Sequence, residues 1–151
     1  MKEVLDRARI DSNDAVLDVG TEQTAALIAR CALDCLGADG SVICLDVSVD
    51  VLDELRAACP DPRVSFLVGS VDVVPLPDVS VDVVLGCPMF GSTSEKVEAA
   101  REAHRVLRRG GRISLFEPDD AEGAEAWLAE AGFTAIDAVQ RSGLFLAGAK
   151  T

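Results

Sequence analysis

The stretch AVLDVGTEQTAALIARCAL, residues 15–33, begins like a strand feeding a nucleotide-binding turn. Its centre, DVGTE, keeps Asp18 and Gly20 but puts Glu22 and Thr24 where such a turn carries glycine. Glycine there lets backbone approach a ligand, and a side chain occupies the same space. Three further stretches place carboxylates, hydroxyls or glycines directly after apolar runs: Asp46 closing SVICLD, Gly69 to Asp72, and Gly86 to Phe90. Glu117 to Asp119 form a fifth such end. Other chemistry is thin. His104 is the only histidine and lies mid-helix in REAHRVL, a surface position more than a catalytic one. No Ser-His-Asp set, P-loop or metal-ligand spacing occurs.

Alternating strands and helices would bring those ends together. KEVLDRA reads as a short helix, AVLDV as the first strand, and residues 24–36 as a helix closed by the Gly-rich GADG. SVICLDV, helix VDVLDELRAAC, strand RVSFLVG, a Pro-rich connection and strand VDVVLG follow. Next come helix SEKVEAAREAHRVLRR, strand GRISLFEP and a helix across AEGAEAWLAEAG. The last two strands, FTAIDAVQ and SGLFLAGA, are joined too closely for a crossover and must be antiparallel. No internal repeat or linker interrupts this order, so residues 1–151 read as one α/β domain with a mostly parallel sheet. In such a sheet, ligands bind outside the carboxyl ends of the strands, where the strand order reverses.

Composition narrows the partners. At 49% hydrophobic and 26% charged residues, the 151-residue chain can bury a core of its own. Fourteen Lys and Arg against 26 Asp and Glu give a formal charge of −12, which repels nucleic acid and anionic lipid. The one basic cluster, around Arg105, Arg108, Arg109 and Arg112, is expected to complement a helix C-terminus. No apolar run approaches membrane-spanning length, and MKEVLDRARI lacks a signal peptide's apolar core, so a cytoplasmic location is expected. Five cysteines, an odd count, agree with free thiols in a reducing compartment. Cys31 and Cys35 share a helix face, but small buried hydrophobes are the expected role for these thiols rather than zinc ligands.

REAHRVLRRGGRISLFEP, VDVVLG and VVPLPDVSVD together resemble the class I S-adenosylmethionine-dependent methyltransferases over nearly the whole chain. That resemblance implies a Rossmann-like doubly wound fold, with a seven-stranded mostly parallel sheet, an antiparallel terminal hairpin and helices on both faces. It also implies a cofactor, S-adenosylmethionine, held by Asp18, Gly20, Glu22, Asp46, Val47, Ser70, Val71 and Gly86. Asp82 stands at the family's customary acidic position in the fourth strand. The family's first motif, D-x-G-x-G-x-G, keeps only its first glycine here. Asp46 would accept hydrogen bonds from the ribose hydroxyls, or else start the next helix beside its cap Ser48. Ser70 stands where the family commonly has an aspartate facing the adenine amino group, and Asp72 is two places on. Cys87 to Phe90 would offer an apolar wall without acid or base.

Two functions are compatible with these residues. One is a methyltransferase acting on a small molecule, in which the sulfonium cofactor brings its own leaving group and the protein aligns the acceptor. The other is a cofactor-free methyltransferase-like subunit that binds or regulates, favoured by Glu22, Thr24 and Ser70. A dehydrogenase is weaker, because its Gly-rich fingerprint is absent. An open crevice also suggests completion by a second copy or a protein partner.

Overall fold

The computed structural model describes residues 2–19, 25–86, 93–117, 123–141 and 143–151. Gly20, Glu22, Thr24, Cys87 to Phe90 and Asp119 lie outside them.

The first half alternates α1 (Lys2–Ala8), β1 (Ala15–Val19), α2 (Ala25–Cys35), β2 (Ser41–Asp46), α3 (Val49–Ala58) and β3 (Val64–Val68). The second half runs β4 (Val81–Gly86), α4 (Thr93–Val106), β5 (Leu107–Glu117), α5 (Ala124–Glu130), β6 (Thr134–Gln140) and β7 (Leu144–Ala149). One seven-stranded sheet has the order β3-β2-β1-β4-β5-β7-β6. Strands β1 to β5 pair in parallel, whereas β7 runs antiparallel to both β5 and β6. This is the mostly parallel α/β sheet expected from the alternation, in the Rossmann-like form that the resemblance implies.

The near-continuous apolar runs of β1, β2 and β4 follow from burial on both faces, the usual state of central parallel strands. Side chains alternate between two core layers. Leu17, Val19 and Val84 pack with Ala103 of α4 and Leu128 of α5. Val16, Cys44 and Leu85 pack on the other face with Val4, Ile28 and Leu52 of α1, α2 and α3. Asp18, two residues after Val16, takes the second face by the period of a strand.

Three local expectations are corrected. Helix α4 ends at Val106, not Arg109, and β5 begins at Leu107 so that Gly110 and Gly111 lie inside the strand. There β4 advances from Val81 to Val83 while β5 advances from Leu107 to Arg112, which makes the Gly-Gly pair part of a bulge. Gly110 has φ 76°, and a Cβ on Gly111 would lie 2.8 Å from the Arg108 carbonyl oxygen. Second, GADG does not close α2 with a left-handed glycine, since neither Gly37 nor Gly40 has positive φ. Instead Gly37 N–H donates to the Ser12 carbonyl at 2.7 Å, and Gly40 is needed because a Cβ would lie 2.7 Å from Leu36 Cδ2.

The basic cluster is corrected in part: Arg105 lies in the last turn of α4 as expected, whereas Arg108, Arg109 and Arg112 lie in β5, and three of these cations serve tertiary contacts. Arg105 donates to the carbonyls of Val74 and Leu76, Arg108 to Asp82, and Arg112 to the carbonyls of Ala8 and Arg9 that end α1.

Candidate functional site

Strand β1 lies between β2 and β4, and the chain order reverses there, with β2 and β3 to one side and β4 and β5 to the other. The carboxyl ends line up across the reversal: Val19 is level with Leu45 and Gly86, and Asp46 with Val68. Asp18, Asp46, Ser70 and Gly86 are therefore gathered at one end of four adjacent strands.

Asp46 ends β2 with 7% exposure. Its Oδ1 accepts the Ser48 N–H at 2.6 Å, and its carbonyl accepts the Gly69 N–H at 2.9 Å. Ser48 caps α3, its Oγ accepting the Val51 N–H at 3.4 Å. The helix-starting role foreseen for this pair is thus real, but it occupies one carboxylate oxygen. No protein group among the described residues hydrogen-bonds to Oδ2. Val47, the next residue, is 70% exposed, unusual for a large aliphatic side chain. Val49 at the start of α3, Val68 level with Asp46 on β3, and Val73 in the turn after it are also exposed.

After β3 the chain turns tightly. Val73 N–H donates to the Ser70 carbonyl at 3.2 Å, and the Ser70 hydroxyl donates to Asp72 Oδ1. The serine hydroxyl and the carboxylate two places on thus form one unit. Val71 is half-buried against the core. Gly69 is fixed by packing, since a Cβ there would lie 2.6 Å from Pro75 Cδ.

Asp18 differs from the other site carboxylates. It is 1% exposed, level with Cys44 of β2 and Leu85 of β4, and neither carboxylate oxygen has a hydrogen-bond partner among the described residues. Burial pushes its carboxyl well above the usual carboxylate range. Burial chiefly, with the neighbouring Asp18 and Cys59, pushes the Cys44 thiol up to about 12.

Gly86 is buried at the end of β4, beside Val19 and Leu115. Two residues beyond the level of Leu115, Glu117 is 4% exposed and Lys96 Nζ lies 3.6 Å from its Oε2. Glu117 was recognisable as a strand end, but Lys96 carries no sequence signal, since an exposed helical lysine would look the same.

The remaining candidates lie elsewhere. His104 in the last turn of α4 stacks edge-on against Phe133, with ring centroids 5.2 Å apart, and burial lowers its pKa. It packs the helix at the opposite end of the sheet. Cys44 and Cys59 are buried as expected, whereas Cys35 is exposed, its thiol 3.6 Å from the Cys31 carbonyl. Among the described residues no cluster of His, Cys, Asp and Glu could hold a metal ion. No helix among them is long and apolar enough to cross a membrane. A groove of about 710 Å³ between α1 and the β6–β7 pair is lined by charges matched to one another, including Arg7 with Asp137 and Arg141 with Glu3. It clamps α1 to the sheet.

The fold is shared with a SAM-dependent methyltransferase from Aquifex aeolicus, at a TM-score of 0.79 and 21% identity over 98% of this chain and 87% of that one. A methyltransferase in complex with the Haloferax volcanii Trm112 methyltransferase activator matches at a TM-score of 0.79 and 20% identity, with the same coverages of 98% and 87%. In sequence, an arsenite methyltransferase of Halobacterium salinarum is 29% identical over 86% of this chain. The chain spans 40% of that relative, and less than half of the other curated relatives it matches first. A family described as the methyltransferase domain matches residues 17–115, which run from β1 through most of β5 and include Asp18, Asp46, Ser70 and Gly86. The chain belongs to the class I S-adenosylmethionine-dependent methyltransferase family.

Proposed function

We propose that this chain, folded as one domain, retains S-adenosylmethionine and transfers its methyl group to a small molecule, in preference to serving as a cofactor-free subunit. The observation that carries this reading is Asp46. Its Oδ1 is immobilised by the Ser48 amide while no group among the described residues uses Oδ2, beside a valine with 70% of its surface exposed. A fixed carboxylate next to an exposed apolar side chain fits a ribose diol joined to a flat aromatic base.

The other residues take compatible places. Val47 and Val71 flank the base, and the Ser70–Asp72 pair faces its polar edge, restoring the acidic acceptor that Ser70 alone lacks. Asp18 lies under the amino-acid half, and Gly86 leaves backbone close to the reacting carbon. Gly20 and Glu22 are proposed on sequence position alone. The cofactor supplies a methyl group on a sulfonium, a leaving group that needs no proton. The chain's residues bind, orient and exclude water.

The acceptor is a small molecule rather than nucleic acid, in keeping with the net charge of −12. A protein partner or second copy completes the acceptor side, a reading supported by the neighbour solved with an activator protein. The cytoplasm suits the free thiols among the described cysteines.

Calorimetry with S-adenosylmethionine and S-adenosylhomocysteine tests the reading. Saturable heat is expected, and Asp46→Asn should weaken binding about 10- to 100-fold, since the amide keeps an oxygen for Ser48 but loses the charged acceptor. Neither heat nor thermal stabilisation at millimolar ligand would leave the cofactor-free subunit as the answer.

A further inference from the structure

We propose that the groove between α1 and the β6–β7 pair is a second binding site that takes a small organic bisphosphate, with Arg9 holding one phosphate and Arg141 the other. The proposal does not depend on the cofactor reading, because Asp46, Ser70 and Gly86 are not among the residues that line this groove.

Strand alternation makes the floor. Ser114 Oγ donates to the Val4 carbonyl at 2.7 Å, so Ser114 faces α1, and its partner on β7 is Ala147. Arg112, two residues earlier and on the same face, is level with Ala149. Both alanines are half-buried, and their small side chains leave a trough of about 710 Å³, within the size range of small-molecule pockets.

The walls are charged. Five cations and three carboxylates line the groove, in a chain whose net charge is −12. The carboxylates are already engaged: Asp6 by Lys2, Asp137 by Arg7, and Glu3 by both Arg7 and Arg141. Arg112 is matched by Asp14, and it covers the carbonyls of Ala8 and Arg9 that would otherwise repel an anion. Arg9 is left over. It is exposed, and its guanidinium has no hydrogen bond or ion pair among the described residues. Arg141 Nε lies 3.3 Å from Glu3 Oε2, with 65% of the side chain exposed, and its Nη atoms make no hydrogen bond among the described residues.

Backbone geometry marks the same place. Arg9 follows the last residue of α1 with φ 48°, the left-handed conformation that glycine usually supplies at a helix end. Ala135, in the irregular pairing of β6 with β7, has φ 50° and also lines the groove. Among the described residues only Val79 joins them outside glycine. Backbone held in this region gathers at ligand clamps.

The ligand class follows from spacing and charge. Arg141 stands beside Glu3 in the first turn of α1 and Arg9 just past its end, so the two cations are about 9 Å apart along the helix axis. An anion that engages both is elongated, with an oxyanion group at each end. Guanidinium forks match phosphate and carboxylate alike. A phosphate monoester brings nearly twice the charge of a carboxylate to each fork, which offsets the repulsion of an acidic chain. A bisphosphate meets both demands.

The test is calorimetry of the whole chain with fructose 1,6-bisphosphate as the probe, against glucose 6-phosphate at equal ionic strength. Saturable binding of the bisphosphate is expected, about 10-fold tighter than the monophosphate and weakened by added salt. Arg9→Gln and Arg141→Gln should each weaken it about 10-fold, since each removes charge-assisted hydrogen bonds. Arg9→Gln should leave the Tm of the free protein unchanged, because that guanidinium has no partner to lose. S-adenosylhomocysteine should not displace the bisphosphate. The absence of saturable heat at millimolar bisphosphate overturns the proposal, as does equal affinity for the two phosphates or binding that both variants leave intact. Displacement by S-adenosylhomocysteine would put the bisphosphate in the strand-end crevice and overturn it too. The cofactor reading stands or falls separately, on S-adenosylhomocysteine alone.

Discussion

Asp82 on β4 fastens the start of β1: its Oδ2 accepts the Ala15 N–H at 2.8 Å and also an Arg108 N–H at 2.6 Å. The acidic residue in the fourth strand therefore supplies a hydrogen bond that the sheet ladder cannot, at the end of the sheet opposite Asp46 and Gly86. Asp82→Ala should lower stability by about 1–3 kcal/mol, because it removes the acceptor from a part-buried amide. Asp82→Asn should cost less, since it keeps an oxygen for Ala15. Urea unfolding measures both, and nucleoside affinity should stay unchanged. A loss under about 0.5 kcal/mol for the alanine variant would mean that water replaces the carboxylate.

Gly69 and Pro75 are in mutual contact across the turn that carries Ser70 and Val71. A Cβ on Gly69 would lie 2.6 Å from Pro75 Cδ and 2.8 Å from Cγ, closer than real Cβ contacts allow. Gly69→Ala should cost about 1–3 kcal/mol through overpacking. It should also weaken nucleoside binding by displacing Ser70. The double variant Gly69→Ala with Pro75→Ala should recover part of both losses, because the clash is with the pyrrolidine ring. Additive effects in the double-mutant cycle would locate the damage elsewhere.

Arg105 and Glu102 hold Val74 from both sides. Glu102 Oε2 accepts the Val74 N–H at 2.8 Å, and Arg105 donates to the Val74 carbonyl at 2.8 Å and the Leu76 carbonyl at 2.9 Å. Their side chains are also paired at 2.7 Å, and these bonds hold the Glu102 carboxyl below its ordinary range. Arg105→Ala should cost about 2–3 kcal/mol, through two abandoned carbonyls and an unpaired glutamate. For a chain of this size that is a fall in Tm of roughly 4–12 °C. Arg105→Lys keeps the charge but lacks the planar fork, so it should recover less than half. Full recovery by lysine would show that charge alone holds the loop.

The order of elements was legible because each strand is a compact apolar run and each helix keeps its own period, signals that depend on neighbours in sequence. KEVLDRA and AVLDV coincide with α1 and β1 to the residue. What was not legible depends on partners far along the chain. Arg105 looks like a cation complementing a helix dipole, and only the fold brings Val74 and Leu76 to it. The Gly-Gly pair looks like a turn ahead of a strand, and only pairing with β4 turns it into a bulge. Asp46 could be recognised as a strand-end carboxylate, yet which of its oxygens was spent on Ser48 required coordinates. The isolation of Asp18 is least visible of all, because an aspartate in LDV carries no mark of what lies opposite.

That isolation sets the sign of a pH effect on stability. The Asp18 carboxyl is held above its ordinary value in the folded chain by burial. Between the unfolded value, about 3.9, and the raised folded value, the folded state binds more protons than the unfolded one. The stability from this group is thus fully present below about pH 4 and is lost as pH rises towards the folded value, by up to about 1.4 kcal/mol per pH unit. Asp61 acts in the opposite sense. Hydrogen bonds from Arg63 lower it to about 2, so its contribution is present above about pH 4 and lost as pH falls through the folded value. Since Asp61 is common to the native protein and Asp18→Asn, the difference between their urea midpoints isolates Asp18. That difference should favour the asparagine variant increasingly from about pH 4 upward, and level off where the buried acid ionises. A difference that stays constant from pH 4 to pH 8 would mean that Asp18 titrates like an exposed carboxylate, despite its burial.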